Sequence, residues 1–251
     1  MKNSVDRFSD RVSNYVKYRP DYPRKVIGYL EEECGLSKDS VVADIGCGTG
    51  ISSRMFLERG NQVFGVEPNL AMRDAAVEQL RQFPKFTAVD GTAESTTLRD
   101  HSVDMVVAAQ AFHWFDPSRT RLEFSRILKP GGHIVLIWNE RSLDADQFHV
   151  KYEQLLLKYG KDYAQVRHDD LQRLDLQSFF PRPYKEVSFE NFQIFDFEGV
   201  KGRMLSASYM PNELDERFES MIDELRSLFA NHAETGKIKV FYNTRVYHSP
   251  V

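Results

Sequence analysis

VVADIGCGTG, residues 41–50, is the stretch that decides how this chain folds. Four apolar residues surround one acid, Asp44, and Gly46, Gly48 and Gly50 then follow at every second position. A buried strand that runs into a glycine-dense turn lets backbone approach a ligand with no Cβ in the way. The next residues, ISSRMFLERG (51–60), read as a helix that Gly60 ends. The turn therefore lies at a helix N-terminus, where unpaired N–H groups and the helix dipole gather partial positive charge.

The glycine spacing narrows the ligand. A dinucleotide fingerprint is G-x-G-x-x-G/A, whose third small residue opens the helix beside a pyrophosphate. Here that position is Ile51, the third glycine comes one place early, and Asp44 precedes the first glycine by two residues. The acid would repel a pyrophosphate but suits an ammonium or a hydroxyl. A nicotinamide oxidoreductase is disfavoured on the same residues. The segment NQVFGVEPN (61–69) reads as a second strand with Glu67 at its C-terminal end, 17 residues after the last glycine. A carboxylate at about 20 residues is expected to take ribose hydroxyls. Its charge strengthens the two hydrogen bonds that a vicinal diol can donate.

Composition sets the outer bounds. A chain of 251 residues with 41% hydrophobic content and a mean hydropathy of −0.47 has material for one globular α/β domain. The net charge of −4 offers no electrostatic reason to bind nucleic acid. No apolar run approaches a membrane span, and the N-terminus MKNSVDRFSD has no secretory h-region. The two cysteines, Cys34 and Cys47, suggest no disulfide and show no C-x-x-C metal spacing, and the histidines show no metal or triad spacing. No metal is expected, and a reduced, cytoplasmic setting is the simplest reading.

From residue 23 to about 140, strand-like and helix-like segments alternate, which argues for a parallel sheet with helices on both faces. Strands are expected near 41–45, 62–67, 85–90, 103–109 and 132–138. Helices are expected near 23–34, 50–59, 69–82 and 117–128. The runs VVADI, VDMVVAA and HIVLIW are nearly continuous, as strands covered on both faces should be. Beyond residue 140 the pattern changes. A helix is expected at 146–160, a short one within 162–180, a long strand at 185–197 and a final strand at 236–248. Another helix, near 213–230, places Leu214, Phe218, Met221, Ile222, Leu225 and Phe229 on one face.

In order along the chain, YVKYRPDYP (15–23), ADIGCGTG (43–50), GVEPN (65–69), DGTAES (90–95), SVDMVVAAQAFHWFD (102–116) and LKPGGHIVLIWNE (128–140) resemble the class I S-adenosylmethionine-dependent methyltransferases. The closer likeness is to the small-molecule, trans-aconitate methyltransferase-like branch. The resemblance covers about the first three-fifths of the chain. It implies a Rossmann-like fold: a seven-stranded, mostly parallel sheet with an antiparallel last strand. It implies one domain, with 1–22 as a lid, 23–140 as the cofactor-binding core, 141–183 and 199–235 as substrate-side insertions, and 184–198 and 236–251 as closing strands.

The resemblance also implies site roles. Asp44 would meet the methionine ammonium, and the backbone of Gly46, Cys47 and Gly48 would pass close to the methionine and ribose. Glu67 would hold the ribose diol, with Pro68 and Met72 against adenine. Many relatives carry an acid at the position of Thr92. Its absence here shifts the adenine contact to Ala93 and Glu94. Tyr15 and Arg19 belong to the lid, with Arg19 pairing the methionine carboxylate, a task its planar fork suits. Gln110 and Trp114 would touch the cofactor. Amino methyltransferases typically carry an Asp/Asn-Pro-Pro-Tyr/Phe box where this chain has Gln110-Ala111-Phe112-His113, which counts against adenine or glutamine acceptors.

His113 is the candidate general base, because histidine is the side chain most easily poised near neutral pH. Asn139 and Arg141 are candidates for the acceptor pocket, Arg141 for an acidic substrate. The expected reaction is methyl transfer from S-adenosylmethionine, leaving S-adenosylhomocysteine, to a small molecule at a carboxylate or hydroxyl oxygen. A methyltransferase-fold binding protein without turnover and an RNA methyltransferase remain open alternatives. So does the choice between a monomer and a homodimer.

Overall fold

The strand β1 (Val41–Ile45) ends where the glycines begin, and it sits at the centre of the sheet. The computed structural model describes residues 17–161, 163, 175–207 and 209–251. Among these, seven strands form one sheet. The others are β2 (Gln62–Val66), β3 (Phe86–Val89), β4 (Val103–Ala109), β5 (Leu128–Arg141), β6 (Lys185–Phe195) and β7 (Ile238–Pro250). The order is β3-β2-β1-β4-β5-β7-β6. β7 runs antiparallel to both β5 and β6, and the other neighbouring pairs are parallel. This is the sheet that the resemblance implies.

The eight described helices of four or more residues are α1 (Lys25–Cys34), α2 (Ile51–Arg59), α3 (Leu70–Leu80), α4 (Pro117–Ile127), α5 (Gln147–Tyr159), α6 (Leu176–Phe179), α7 (Phe197–Leu205) and α8 (Phe218–His232). Strand alternation sorts the central side chains to two faces. Val42, Val135 and Ile137 pack with Val26 and Leu30 of α1 and with Phe56 of α2. Ala43, Ile45, Ile134 and Leu136 pack on the other face with Phe124 and Ile127 of α4. Full burial of each large aliphatic stabilises by about 1.5–3 kcal/mol, so runs apolar on both faces fit only here.

A third core stands over the outer strands. Phe148, Tyr152 and Leu156 of α5, Val200 and Met204 of α7, and Met221, Ile222 and Leu225 of α8 close on Phe195, Ile238, Val240 and Tyr242 of β6 and β7. The helices of this cap lie within 147–159, 197–205 and 218–232, and three details differ from the sequence reading. The fifth strand runs on to Arg141, because β7 pairs with it as far as Arg141↔Tyr242. α8 begins at Phe218, and Leu214 is 93% exposed instead of sharing its apolar face. The side chains of Asn212 and Asp215 accept from Leu214 N and Arg217 N and hold a turn there. α6 packs on the sheet face, with Phe179 against Phe112 and Phe124, rather than over the C-terminal edge. The remainder of the short helix expected within 162–180 falls largely outside the described residues.

Candidate active site

The loop after β1 is fastened before any ligand is considered. Gly46 N and Cys47 N both donate to Val66 O, at 2.8 and 3.2 Å, which ties the turn to the end of β2. Gly46, Gly48 and Gly50 have φ of +69°, +56° and +85°, the left-handed region where a Cβ is strained. A Cβ on Gly46 would also lie 2.7 Å from Ala111 Cβ, and one on Gly50 would lie 2.6 Å from Leu80 Cδ1. Gly48 meets nothing within 4 Å, so its side of the loop is the open one.

Asp44 lies behind this loop and is fully buried. One oxygen, Oδ2, accepts from Ser52 Oγ and Ser53 Oγ, both at 2.6 Å in the first turn of α2. Oδ1 is buried and has no partner. Burial pushes the carboxyl up to about 6, and the serine hydroxyls oppose that shift. Asp44 is not in the wall of the pocket described below. Its charge acts from beneath the loop.

Glu67 stands in front of the loop. Its Oε2 accepts from Gly48 N at 3.0 Å and its Oε1 from Asn69 N at 2.9 Å. Each oxygen keeps a second lone pair for a ligand donor. Burial raises the carboxyl above the usual range, and the two backbone donors pull it back down. Asn69 also caps α3, its Oδ1 accepting from Met72 N at 3.0 Å.

Across from Glu67, Gln110 follows β4 with φ of +57°, an uncommon conformation for a residue other than glycine. Its Nε2 donates to Asn139 O at 3.3 Å, and its Oε1 is buried without a partner. Asn139 is 4% exposed and serves as a junction. Its Nδ2 reaches Pro20 O and Asp21 O at 3.5 and 3.3 Å, and its Oδ1 accepts from Asn191 Nδ2 at 3.2 Å.

These bonds lay residues 17–22 across the opening. Gln193 Nε2 donates to Tyr18 O at 3.4 Å, Asn191 Nδ2 to Asp21 O at 2.8 Å, and Arg19 Nη2 to Ser206 O at 3.3 Å. The Tyr18 ring lies flush on α7, where a Cβ on Gly202 would be 2.0 Å from it.

The resulting pocket encloses, with its mouth, about 970 Å³. Arg19, Gly46, Cys47, Gly48, Glu67, Pro68, Met72, Gln110, Trp114 and Asn139 line it, all of them expected from the sequence. Tyr22, Thr49, Ile51, Ser52, Asn69, Ala111 and Phe115 line it as well. Thr92, Ala93 and Glu94 do not. Thr92 is exposed, Ala93 belongs to the sheet core, and Glu94 Oε1 accepts from Asp116 N at 2.9 Å just before α4. His113 is exposed in a single turn of 3-10 helix (Phe112–Trp114), with its ring 4.8 Å from that of Trp114 and outside the pocket wall. Tyr15 lies outside the described residues.

A second, smaller cavity adjoins the first at Asn139. Arg141 enters it from β5 with its side chain 7% exposed. Its Nη2 bonds Glu153 Oε2 and lies 3.1 Å from Tyr163 OH, while its Nη1 is buried without a partner. Arg203 of α7 lines the opposite side and donates from Nε to Tyr242 OH at 3.2 Å. Burial pushes the Tyr152 and Tyr163 phenols up, so both stay neutral. The cavity wall carries two guanidiniums, and Glu153 is bonded to one of them. Sequence reasoning reached Arg141 but not Arg203, Tyr152 or Tyr163, because a spacing pattern within one segment cannot show that β5, α5 and α7 converge.

The pocket combines a carboxylate with open lone pairs, an apolar wall at Pro68 and Met72, and an acid beneath a glycine loop. Residues 43–136 match the family described as a methyltransferase domain. The chain is 40% identical over 228 residues to an uncharacterised methyltransferase of Mycobacterium tuberculosis, covering 90% of this chain and 86% of that one. It is 27% identical over 246 residues to a methyltransferase-like protein of Schizosaccharomyces pombe, covering 96% and 94%. A provisionally named type II methyltransferase of Anaeromyxobacter dehalogenans shares the fold, with a TM-score of 0.66 at 22% identity over 93% of this chain and 98% of that chain.

Proposed function

The chain belongs to the class I S-adenosylmethionine-dependent methyltransferases, and we propose that it methylates an oxygen of a small acidic molecule. The observation that carries the acceptor class is Arg141. It is a buried guanidinium with one unpartnered nitrogen in a small cavity that shares Asn139 with the cofactor pocket. The guanidinium charge is paired with Glu153, but a buried N–H with no acceptor is costly, and a carboxylate oxygen is a strong acceptor for it. Glu153 offsets the charge of Arg141, so Arg203 across the cavity supplies the net positive charge, and Arg141 Nη1 adds one charge-assisted donor.

The fit of the larger pocket to the cofactor rests on this chain's own groups. Glu67 takes the ribose hydroxyls with its free lone pairs, Pro68 and Met72 cover the adenine face, and Gly48 leaves backbone open to the ligand. Arg19 pairs the methionine carboxylate, and the buried charge of Asp44 favours a cation above the loop. Bound S-adenosylmethionine supplies a sulfonium methyl group that any correctly aligned nucleophile can accept. Alignment by the chain is worth on the order of 7–11 kcal/mol. Residues 17–22 and Trp114 exclude water from that alignment. A carboxylate is already anionic and needs no proton removed, which accords with the position of His113 outside the wall.

A labelled-methyl transfer assay across panels of carboxylic acids, phenols, amines and RNA tests the reading. Acids should be methylated, and Arg141→Lys should raise KM for them by about tenfold with kcat little changed, because a point charge replaces a fork. Turnover of amines or RNA with none of the acids would overturn it. S-adenosylhomocysteine binding with no transfer to any panel would favour the reading as a binding protein.

A further inference from the structure

We propose that Cys34, His133 and His248 form a zinc site at the end of the sheet opposite the cofactor pocket. The three come from distant segments. Cys34 is the last residue of α1, where Gly35 at φ +65° turns the chain away. His133 opens the paired run of β5, and His248 lies near the end of β7. His133 pairs with Pro250, two residues beyond His248, so the two imidazoles are diagonal neighbours on one face. That face is the one α1 covers.

One ligand atom from each of the three residues lies within 4.8 Å of the others. Cys34 Sγ is already 3.2 Å from His248 Nδ1. With zinc at about 2.3 Å from sulfur and 2.0–2.1 Å from nitrogen, tetrahedral S···N edges come to roughly 3.6 Å. The thiol–imidazole pair opens slightly to reach that, and His133 swings inward by about an ångström. Thiolate with two imidazoles is a donor set for zinc, whereas magnesium and calcium take oxygens.

The surroundings are arranged for a ligating histidine. Tyr29 OH lies 2.9 Å from His248 Nε2. With that N–H donating to the phenol, the Nδ1 lone pair faces Cys34, and an outer partner of this kind fixes tautomer and ring orientation. Burial holds both histidines below their ordinary range, so they are neutral and available. Burial pushes the Cys34 thiol up to about 12, so without metal it is protonated and donates to His248. Binding forms one Zn–S and two Zn–N bonds and releases the thiol proton to solvent.

The fourth position faces a cavity lined by Cys34, Ser40, Asp104, Lys129 and His133, where water completes the tetrahedron. The charged neighbours are already committed: Asp104 to Lys129, and Glu33 to Lys185. Zinc here staples the helix that precedes the glycine strand to the two strands that carry Asn139 and Thr244.

The test uses untagged, EDTA-treated protein titrated with cobalt(II) and then zinc. One equivalent of cobalt should produce a thiolate-to-metal charge-transfer band, and zinc should displace it. The band should vanish in Cys34→Ser, persist in Cys47→Ser, and require at least tenfold more cobalt in His133→Gln and His248→Gln. Zinc at a hundredfold excess over Kd should raise Tm by about 5–10 °C. His133 is only half-buried, so His133→Gln keeps the test alive if a variant at the buried His248 fails to fold. No thiolate band, a band lost in Cys47→Ser instead, or equal titration of the wild type and the Cys34→Ser/His133→Gln variant would overturn the site and leave an ordinary S–H···N hydrogen bond.

Discussion

In the half of the molecule around β1 and β2, the groups facing the pocket are largely backbone, held in place by glycines and by one carboxylate, Glu67. In the half formed by α5, α7, β6 and β7, the groups facing the adjoining cavity are long side chains: Arg141, Arg203, Tyr152 and Tyr163. Asn139 lies at the border and takes part in both. A backbone site needs particular φ values and missing Cβ atoms, so it tolerates few sequences. A side-chain site can be rebuilt by changing one residue on a helix. The same fold can therefore keep the larger pocket while the adjoining cavity varies.

Four measurements test that contrast. The largest effect is expected at Asp44. A carboxyl raised to about 6 from an unfolded value of 3.8 makes native stability greatest when protonated, with the contribution lost as pH rises through about 6. The ligand-free wild type should thus lose about 2 kcal/mol relative to Asp44→Asn between pH 4 and pH 7, read by urea denaturation. A flat difference between the two proteins would mean that Asp44 carries no buried charge beneath the loop.

Next comes Glu67→Ala, which should weaken S-adenosylhomocysteine by about 1.5–3 kcal/mol in calorimetry, the range for bonds to a charged group. A change of a few tenths would place the diol elsewhere. Gly202→Ala tests the cap. Its Cβ would overlap the Tyr18 ring, and overpacking of this kind costs about 1–3 kcal/mol. Residues 17–22 should become susceptible to limited proteolysis, and Tyr18→Ala in the same chain should restore stability. His113→Ala should have the smallest effect, within about 0.5 kcal/mol in kcat/KM, as for other exposed substitutions. A loss of tenfold or more would return the histidine to the chemistry.

The parts that could be read from residues alone share one property: their function depends on local geometry. Gly46, Gly48 and Gly50 signal left-handed backbone wherever they occur, and Glu67 follows from the length of one helix and one strand. Short apolar runs bounded by turn residues were enough to find six of the seven strands at nearly their true bounds. Leu214 misled because helical periodicity continues across a turn that Asn212 and Asp215 cap with their side chains. Arg203 and Gly202 left no signal, since their importance comes from what packs on them.

The strand–loop–helix at 41–59, the carboxylate that faces it, and the strand–helix alternation that yields a parallel sheet are written in the residues, because each arises from interactions within a few residues or from a fixed period. Only the tertiary structure decided which distant side chains meet. It brought Arg141 beside Arg203, laid Tyr18 on Gly202, and set Cys34 against His248. Those encounters depend on how β7 inserts between β5 and β6 and where α1 and α7 then lie, and no spacing along one segment encodes that register.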